Sequence, residues 1–252
     1  MIIENFAKNN KMKNYILIAL LGATTLVKAQ APDFPDLKIL YADAKYEKLV
    51  AQAEKYTLKD ELKKNPVPYM WLAKGLDKIA SSGTDNEKFK NAYKDANGAL
   101  AKSIKNDKDS SCYHENIEFV ESFQMGLIER VTNELSASDY KKAAGWDTKY
   151  YKISFYTLGA KFLEGACKYQ ATDKGGANAI WLVCEKELTK VTSVERWSKA
   201  DLEILKIGVL KTAECYIASR QTDKAKNLLN KVAPWFEEDA EFKEQFDALI
   251  NK

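Results

Sequence analysis

Apolar residues recur along most of the chain at intervals of three and four positions, the spacing that places them on one face of an α-helix. One such face, between residues 41 and 66, consists of Tyr46, Leu49, Val50 and Ala53. No run alternates between apolar and polar residues for long enough to indicate a strand. Roughly eight helices with mostly short connections predict an all-α protein, and short connections favour antiparallel helix pairs.

Helix breakers and caps divide this pattern into segments. A helix is expected to restart after Pro66 and Pro68, because proline is tolerated in the first turn and not in the helix interior. Ser198 followed by Asp201 resembles a capping box and indicates the start of a later helix.

The beginning of the chain has a different composition. Pro32 and Pro35, with acidic residues beside them, predict an extended linker over 30–38. The remainder, 39–252, is expected to form a single α-helical repeat domain.

The first residues have the features of a secretory signal peptide. Lys11 and Lys13 precede the apolar run 15–27, which is too short to anchor the chain in a bilayer, and Ala29 occupies a small-residue cleavage position. We therefore predict a signal peptide over 1–29.

Met12 is an alternative start, because the preceding residues add nothing that a signal peptide needs. The expected mature chain begins at Gln30 and has no cysteine nearby that could carry a lipid. An exported protein is predicted, with the periplasm as the expected location and the extracellular space as the alternative.

Charge narrows the classes of partner. The chain carries a formal net charge of +3, but the predicted signal peptide holds four lysines and one glutamate, so the mature part is close to neutral. A nucleic-acid-binding protein needs a concentrated basic face, and we expect no nucleic-acid partner. No later stretch approaches the roughly 20 apolar residues of a membrane helix, so no transmembrane segment is expected after cleavage.

The segment 210–232 resembles a tetratricopeptide repeat. That family pairs two antiparallel helices in about 34 residues, with a small residue and an aromatic in the first helix and an alanine nine residues after the aromatic in the second. Ala213, Tyr216 and Ala225 have this spacing, and Leu229 takes the place of a bulky residue.

A second match covers part of the N-terminal half. Trp71 and Gly75 have the Trp-to-Gly spacing of the family, and Ala96 and Leu100 fit its second helix, with an intervening segment about nine residues longer than in the family. The resemblance implies a short right-handed α-solenoid of stacked antiparallel helix pairs. The alternative is a generic helical bundle, since 114–190 shows no match.

Catalytic patterns are weak. His114 is the single histidine, and the following residues lack the second histidine of a zinc-binding HExxH helix, with Glu118 in its place and no third ligand. A Ser–His–Asp arrangement would have to use this same residue, and no G-x-S-x-G turn accompanies it. We expect no enzyme activity, no metal and no cofactor.

The four cysteines are Cys112, Cys167, Cys184 and Cys215. Cys167 and Cys184 flank a predicted turn, and in an oxidising compartment they are the best candidates for a disulfide. The alternative, which we prefer, is that each thiol fills a helix face as a small buried apolar group.

An aromatic-rich segment follows residue 145. One helical stripe, expected to be buried, contains Tyr151, Phe155, Leu158 and Phe162. Three aromatics off this stripe are predicted surface contacts: Trp146, Tyr150 and Tyr156.

Together these patterns suggest an interaction scaffold that binds a peptide or another protein of the cell envelope or of a secretion assembly, as the tetratricopeptide resemblance implies. A glycan-binding helical protein is the main alternative, and a structural subunit of an envelope complex is another.

Overall fold

The structure is a computed structural model that describes residues 33–250. Within that range it contains twelve α-helices, two short 3₁₀ helices and no strand, which confirms the all-α prediction. The predicted signal peptide, 1–29, lies outside the described residues.

The first six helices are α1 Pro35–Ala42, α2 Tyr46–Thr57, α3 Pro66–Ser82, α4 Ala92–Asn106, α5 Ser111–Glu115 and α6 Ile117–Ser136. The other six are α7 Tyr140–Tyr151, α8 Leu158–Gln170, α9 Lys174–Leu188, α10 Lys199–Ala218, α11 Thr222–Val232 and α12 Ala240–Ile250. The 3₁₀ helices are Glu87–Phe89 and Ala233–Phe236.

The linker predicted over 30–38 is wrong from Pro35 onward, where α1 begins. Proline favours the first turn of a helix, because its fixed φ suits the helix and its missing N–H is not needed there. Leu37 of α1 is fully buried and packs in a small cluster with Phe34, Leu49 and Ala53. Burial of this apolar face makes the segment part of the folded domain.

Four helix hairpins share one three-residue turn. In each, the middle residue has a positive φ of 55–70° although it is not glycine: Ala44, Ser138, Thr172 and Arg220. The next backbone N–H donates to the carbonyl five residues earlier at 2.8–2.9 Å, as in the Schellman motif. This turn joins α1 to α2, α6 to α7, α8 to α9 and α10 to α11.

Two large apolar cores meet at α8. The N-terminal core extends from α2 to α8, receives Leu163 and Cys167 from α8, and also includes Ala200 and Ile204 of α10. The C-terminal core extends from α8 to the 3₁₀ helix and α12, and receives Phe162 and Ala166 from α8. Helix α8 is therefore buried on two faces and links the two halves of the domain.

The crossing of α8 and α10 is unusually close. A Cβ atom on Gly159 would overlap the backbone of Ile204 and Leu205, and one on Gly208 would overlap the carbonyl oxygen of Gly159. One turn farther on, the carbonyl oxygen of Phe162 accepts hydrogen bonds from Trp181 Nε1 at 3.2 Å and Thr212 Oγ1 at 3.1 Å. Glycine is required here because the two backbones touch.

An ion cluster holds α12 against α10. The Lys206 ammonium lies 3.0 Å from Glu203, 3.1 Å from Asp239 and 2.8 Å from Glu241. Burial lowers the pKa of Lys206, but the three carboxylates outweigh that effect and raise it above its ordinary value. A buried ammonium with several carboxylate partners is satisfied, whereas removal of the lysine would leave these carboxylates close together without a cation.

One buried carboxyl has no such partner. Asp147 on α7 is 3% exposed, and its Oδ1 has no hydrogen-bond partner among the described residues. Burial raises the pKa of Asp147 well above its ordinary value, the Glu164 carboxylate raises it further, and the Lys161 ammonium lowers it. Lys161 is bonded to Glu164 at 2.6 Å instead. The raised pKa thus favours the neutral form of Asp147 more than that of an exposed carboxyl.

We predict that Gly159→Ala and Gly208→Ala each lower the free energy of unfolding by about 2 kcal/mol or more, because the methyl group forces α8 and α10 apart. The matched controls are Gly98→Ala in α4 and Gly145→Ala in α7, where a Cβ meets nothing within 4 Å. The controls should raise the free energy of unfolding by about 0.5–1 kcal/mol, because alanine favours the helix. Urea unfolding gives the free energy of unfolding of all four variants. Equal changes in the two crossing variants and the two controls would contradict the close crossing.

We also predict that Asp147→Asn removes part of the pH dependence of stability. Because the folded-state pKa is raised, the native protein binds more protons than the unfolded chain above about pH 4. Its unfolding free energy then falls by up to about 1.4 kcal/mol per pH unit until the folded-state pKa is passed. Asparagine has no such proton, so the variant should gain stability relative to the wild type across this window. Urea unfolding at a series of pH values tests this prediction. It would be refuted if the unfolding free energies of the wild type and the variant changed with pH in parallel.

Candidate functional site

A concave pocket of about 310 Å³ opens where α5, the start of α6, the α7–α8 connection and the residues before α10 meet. We call it the aromatic pocket and define it by Tyr113, His114, Phe155, Tyr156, Arg196 and Trp197. It brings together the lone histidine and one of the three predicted contact aromatics, Tyr156.

Two aromatic pairs form its walls. The rings of Tyr156 and Trp197 are stacked, with centroids 4.8 Å apart and an interplanar angle of 17°. The rings of Tyr113 and Phe155 meet edge to face, with centroids 4.8 Å apart. Aromatic pairs in these geometries stabilise one another beyond the area they bury, so the walls are held in place before any ligand binds.

A buried carboxylate network fixes the floor. Asp201 accepts hydrogen bonds from the hydroxyls of Tyr150 at 2.7 Å, Ser154 at 2.6 Å and Ser198 at 2.9 Å. Ser198 also caps α10 by accepting from the Asp201 backbone N–H at 3.0 Å. The network ties the α7–α8 connection to the first turn of α10, which sets the positions of Phe155 and Tyr156.

Tyr150 is therefore not a surface contact, and that prediction is wrong. Its ring is fully buried. Burial raises the pKa of its phenol far above the ordinary value, and the neighbouring charge of Asp201 raises it further. The tyrosine acts as a hydrogen-bond donor beneath the pocket.

The buried stripe predicted through Tyr151 and Phe155 is also wrong at those two residues. Helix α7 ends at Tyr151 and α8 begins at Leu158, so no continuous helix carries the stripe. Tyr151 is 40% exposed and Phe155 is 52% exposed, whereas Phe162 is buried. The connecting residues 152–157 are mostly poor helix formers, a signal that the aromatic spacing obscured.

The rim of the pocket carries two exposed cation-forming side chains. Arg196 makes no ion pair within the part of the chain that the structure describes. His114 lines the same pocket. Burial and the carboxylates of Asp201 and Glu121 raise the pKa of Tyr113 to about 12, which keeps its phenol protonated. The site thus offers apolar rings, hydroxyl donors and a free guanidinium to a ligand.

Trp146, the remaining predicted contact, lies outside the pocket. It is half-buried, and its ring has Lys149 at 4.6 Å and Arg130 at 5.2 Å from the centroid. Tyr93 meets it edge to face at 6.1 Å. These neighbours leave Trp146 as part of a cation–aromatic cluster between helices.

The residues of the C-terminal repeat match lie together in one core. Ala213, Tyr216, Ala225 and Leu229 are all buried in the C-terminal core. The Tyr216 hydroxyl donates to Glu185 Oε1 at 2.7 Å. The two alanines lie on α10 and α11, which are joined by the shared turn.

The N-terminal match also consists of packing residues. Ala96 and Leu100 are fully buried in α4, and Trp71 is half-buried in α3. Gly75 faces α2, where an added Cβ would lie 3.0 Å from Val50 Cγ2. This match therefore marks the contacts of α3 with its neighbours.

All four cysteines are buried free thiols, so the Cys167–Cys184 disulfide is not formed in the structure. Cys167 packs in the N-terminal core and Cys184 in the C-terminal core. Burial raises the pKa of Cys112 to about 11 and that of Cys167, Cys184 and Cys215 to about 12.

No family model matches the chain, and no curated protein or solved structure does either. None of the helices within 33–250 has the length and apolar character needed to cross a bilayer. In the same range, no three His, Cys, Asp or Glu side chains are grouped so as to hold a metal ion.

We predict that the native protein leaves all four thiols unreactive toward a chromogenic disulfide reagent, because reaction requires an accessible thiolate. Four thiols should react after denaturation in guanidinium. Fewer than four, together with a bridged peptide containing Cys167 and Cys184 in mass spectrometry, would establish the disulfide and contradict the structure.

Proposed function

We propose that this protein is an exported, non-catalytic helical scaffold that binds another protein of the cell envelope or of a secretion assembly. In this proposal the hairpins stack as a short right-handed α-solenoid of tetratricopeptide-like repeats. A segment of the partner binds in the aromatic pocket.

The repeated turn supports the solenoid. The interval from Ser138 to Thr172 is 34 residues, the period of a tetratricopeptide repeat, and the next, from Thr172 to Arg220, is longer at 48 residues. The first helices of the next two hairpins, α8 and α10, pack directly on each other through Gly159 and Gly208. Contact between successive hairpins is the arrangement from which repeat proteins build a continuous core.

The exposed ring of Phe155 is the observation that carries the binding function. A large aromatic side chain that is 52% exposed at the mouth of a concave pocket leaves apolar surface in contact with water. An apolar side chain of a partner would bury that surface, and aromatic residues and arginine dominate interface hot spots. Arg196 would then meet a carbonyl or carboxylate of the same partner segment.

A glycan is the second candidate ligand. The stacked pair of Tyr156 and Trp197 supports it, because a flat aromatic surface also suits the apolar face of a sugar ring.

We predict that Phe155→Ala lowers partner capture by about tenfold or more, because a hot-spot aromatic contributes about 2 kcal/mol or more. The tagged chain from Gln30 onward would be used to capture proteins from gently solubilised envelopes, and the stoichiometric partner quantified by mass spectrometry. The control is Leu182→Ala, which removes an apolar side chain that is 71% exposed on α9, outside the pocket.

Equal capture by both variants would refute the role of the pocket. The glycan would be favoured by two results together: no protein is captured even after cross-linking, and one sugar of a panel quenches the tryptophan fluorescence. Circular dichroism and thermal unfolding establish that each variant is folded.

A further inference from the structure

A second and larger cavity, of about 1140 Å³, lies on the other side of α5. We call it the basic groove and define it by four of its five lysines and two apolar residues: Lys64, Lys74, Lys105, Lys108, Val67 and Trp71. Cys112 and Glu115 of α5 line this groove, whereas Tyr113 and His114 of the same helix line the aromatic pocket. The two cavities are therefore distinct.

Five lysines line the groove, and four of them, Lys64, Lys74, Lys105 and Lys108, make no ion pair within the described range, whereas Lys38 is paired with Asp33. Most of the carboxylates beside them are already engaged. Asp33 bonds Lys38 at 2.9 Å, Asp107 accepts from the Tyr113 backbone N–H at 2.7 Å, and Asp109 accepts from the Ser111 N–H at 3.1 Å. Against these five lysines the groove presents the four carboxylates of Asp33, Asp107, Asp109 and Glu115, so its formal excess is one positive charge.

Lys74 is the most constrained of these lysines. Its ammonium lies 4.8 Å from the ring centroid of Trp71, 5.6 Å from that of Phe119 and 6.0 Å from that of Tyr41. Burial lowers its pKa, and no carboxylate compensates for the lost hydration. Aromatic faces attract a cation but do not accept its hydrogen bonds as a carboxylate does. A carboxylate ligand would complete this site.

We propose that the basic groove binds an acidic peptide segment in which carboxylates alternate with apolar side chains. The carboxylates pair with Lys74 and with the lysines of the rim, and the apolar side chains cover Val67 and Trp71. A uniform polyanion such as a nucleic acid fits less well, because Glu115 and Asp109 face the same groove and repel it. A peptide meets Glu115 with a backbone N–H group.

The test is fluorescence anisotropy of the chain from Gln30 onward with a fluorescein-labelled peptide of alternating Glu and Leu. Binding is expected, and it should weaken as salt is added because charges attract the peptide. The same peptide with Gln in place of Glu should bind at least about tenfold more weakly. Equal binding of the two peptides, or stronger competition by a single-stranded oligonucleotide than by the unlabelled Glu–Leu peptide, would overturn the proposal.

Lys74→Met removes the charge and keeps most of the side-chain length, and we expect it to weaken peptide binding about tenfold or more. The control is Lys102→Met. Lys102 also lies over an aromatic ring, 5.7 Å from the centroid of Tyr69, and makes no ion pair in the described residues, but it lies outside the groove. Wild-type affinity in a folded Lys74→Met variant would overturn the assignment. So would loss of binding in Phe155→Ala, because that would place the peptide in the aromatic pocket.

Discussion

The direct contact between the backbones of α8 and α10 is the constraint on which the rest of the fold depends. Gly159 and Gly208 allow it because neither carries a side chain at the crossing. With the axes this close, Thr212 reaches the carbonyl oxygen of Phe162, and the ring of Trp181 approaches the same carbonyl from α9. Three helices are thereby fixed around one point, and the two cores meet there.

The same contact positions the aromatic pocket. The α7–α8 connection ends immediately before Leu158, so the crossing at Gly159 holds that end of the connection against α10. At the other end, Tyr150 and Ser154 bond Asp201 in the first turn of α10. A segment without regular structure is thus fixed at both ends, and its exposed aromatic side chains are presented by a rigid scaffold.

A structural feature could be predicted from the sequence only where residues close together in the chain determine it. Helical periodicity predicts the all-α architecture because burial of one helix face produces that pattern, and the alanines singled out by spacing are buried. The end of α7 at Tyr151 is not apparent from the sequence, because aromatic residues continue the helical spacing beyond it. The burial of Tyr150 depends on Asp201, 51 residues away. The unpaired state of Lys74 depends on which side chains of distant helices face it, and no local pattern contains that information.

The four buried thiols have a consequence for the order of events during biogenesis. Under the proposed export, a newly translocated chain would present its cysteines to an oxidising compartment before the helices pack, and four thiols allow three complete pairings. Once the cores form, the sulfurs are inaccessible and held as thiols. In an exported chain, folding and oxidation would therefore compete in time. There, a chain that packs quickly would escape cross-linking, whereas a slow one would be trapped with Cys112, Cys167, Cys184 and Cys215 in bridges that the native cores exclude.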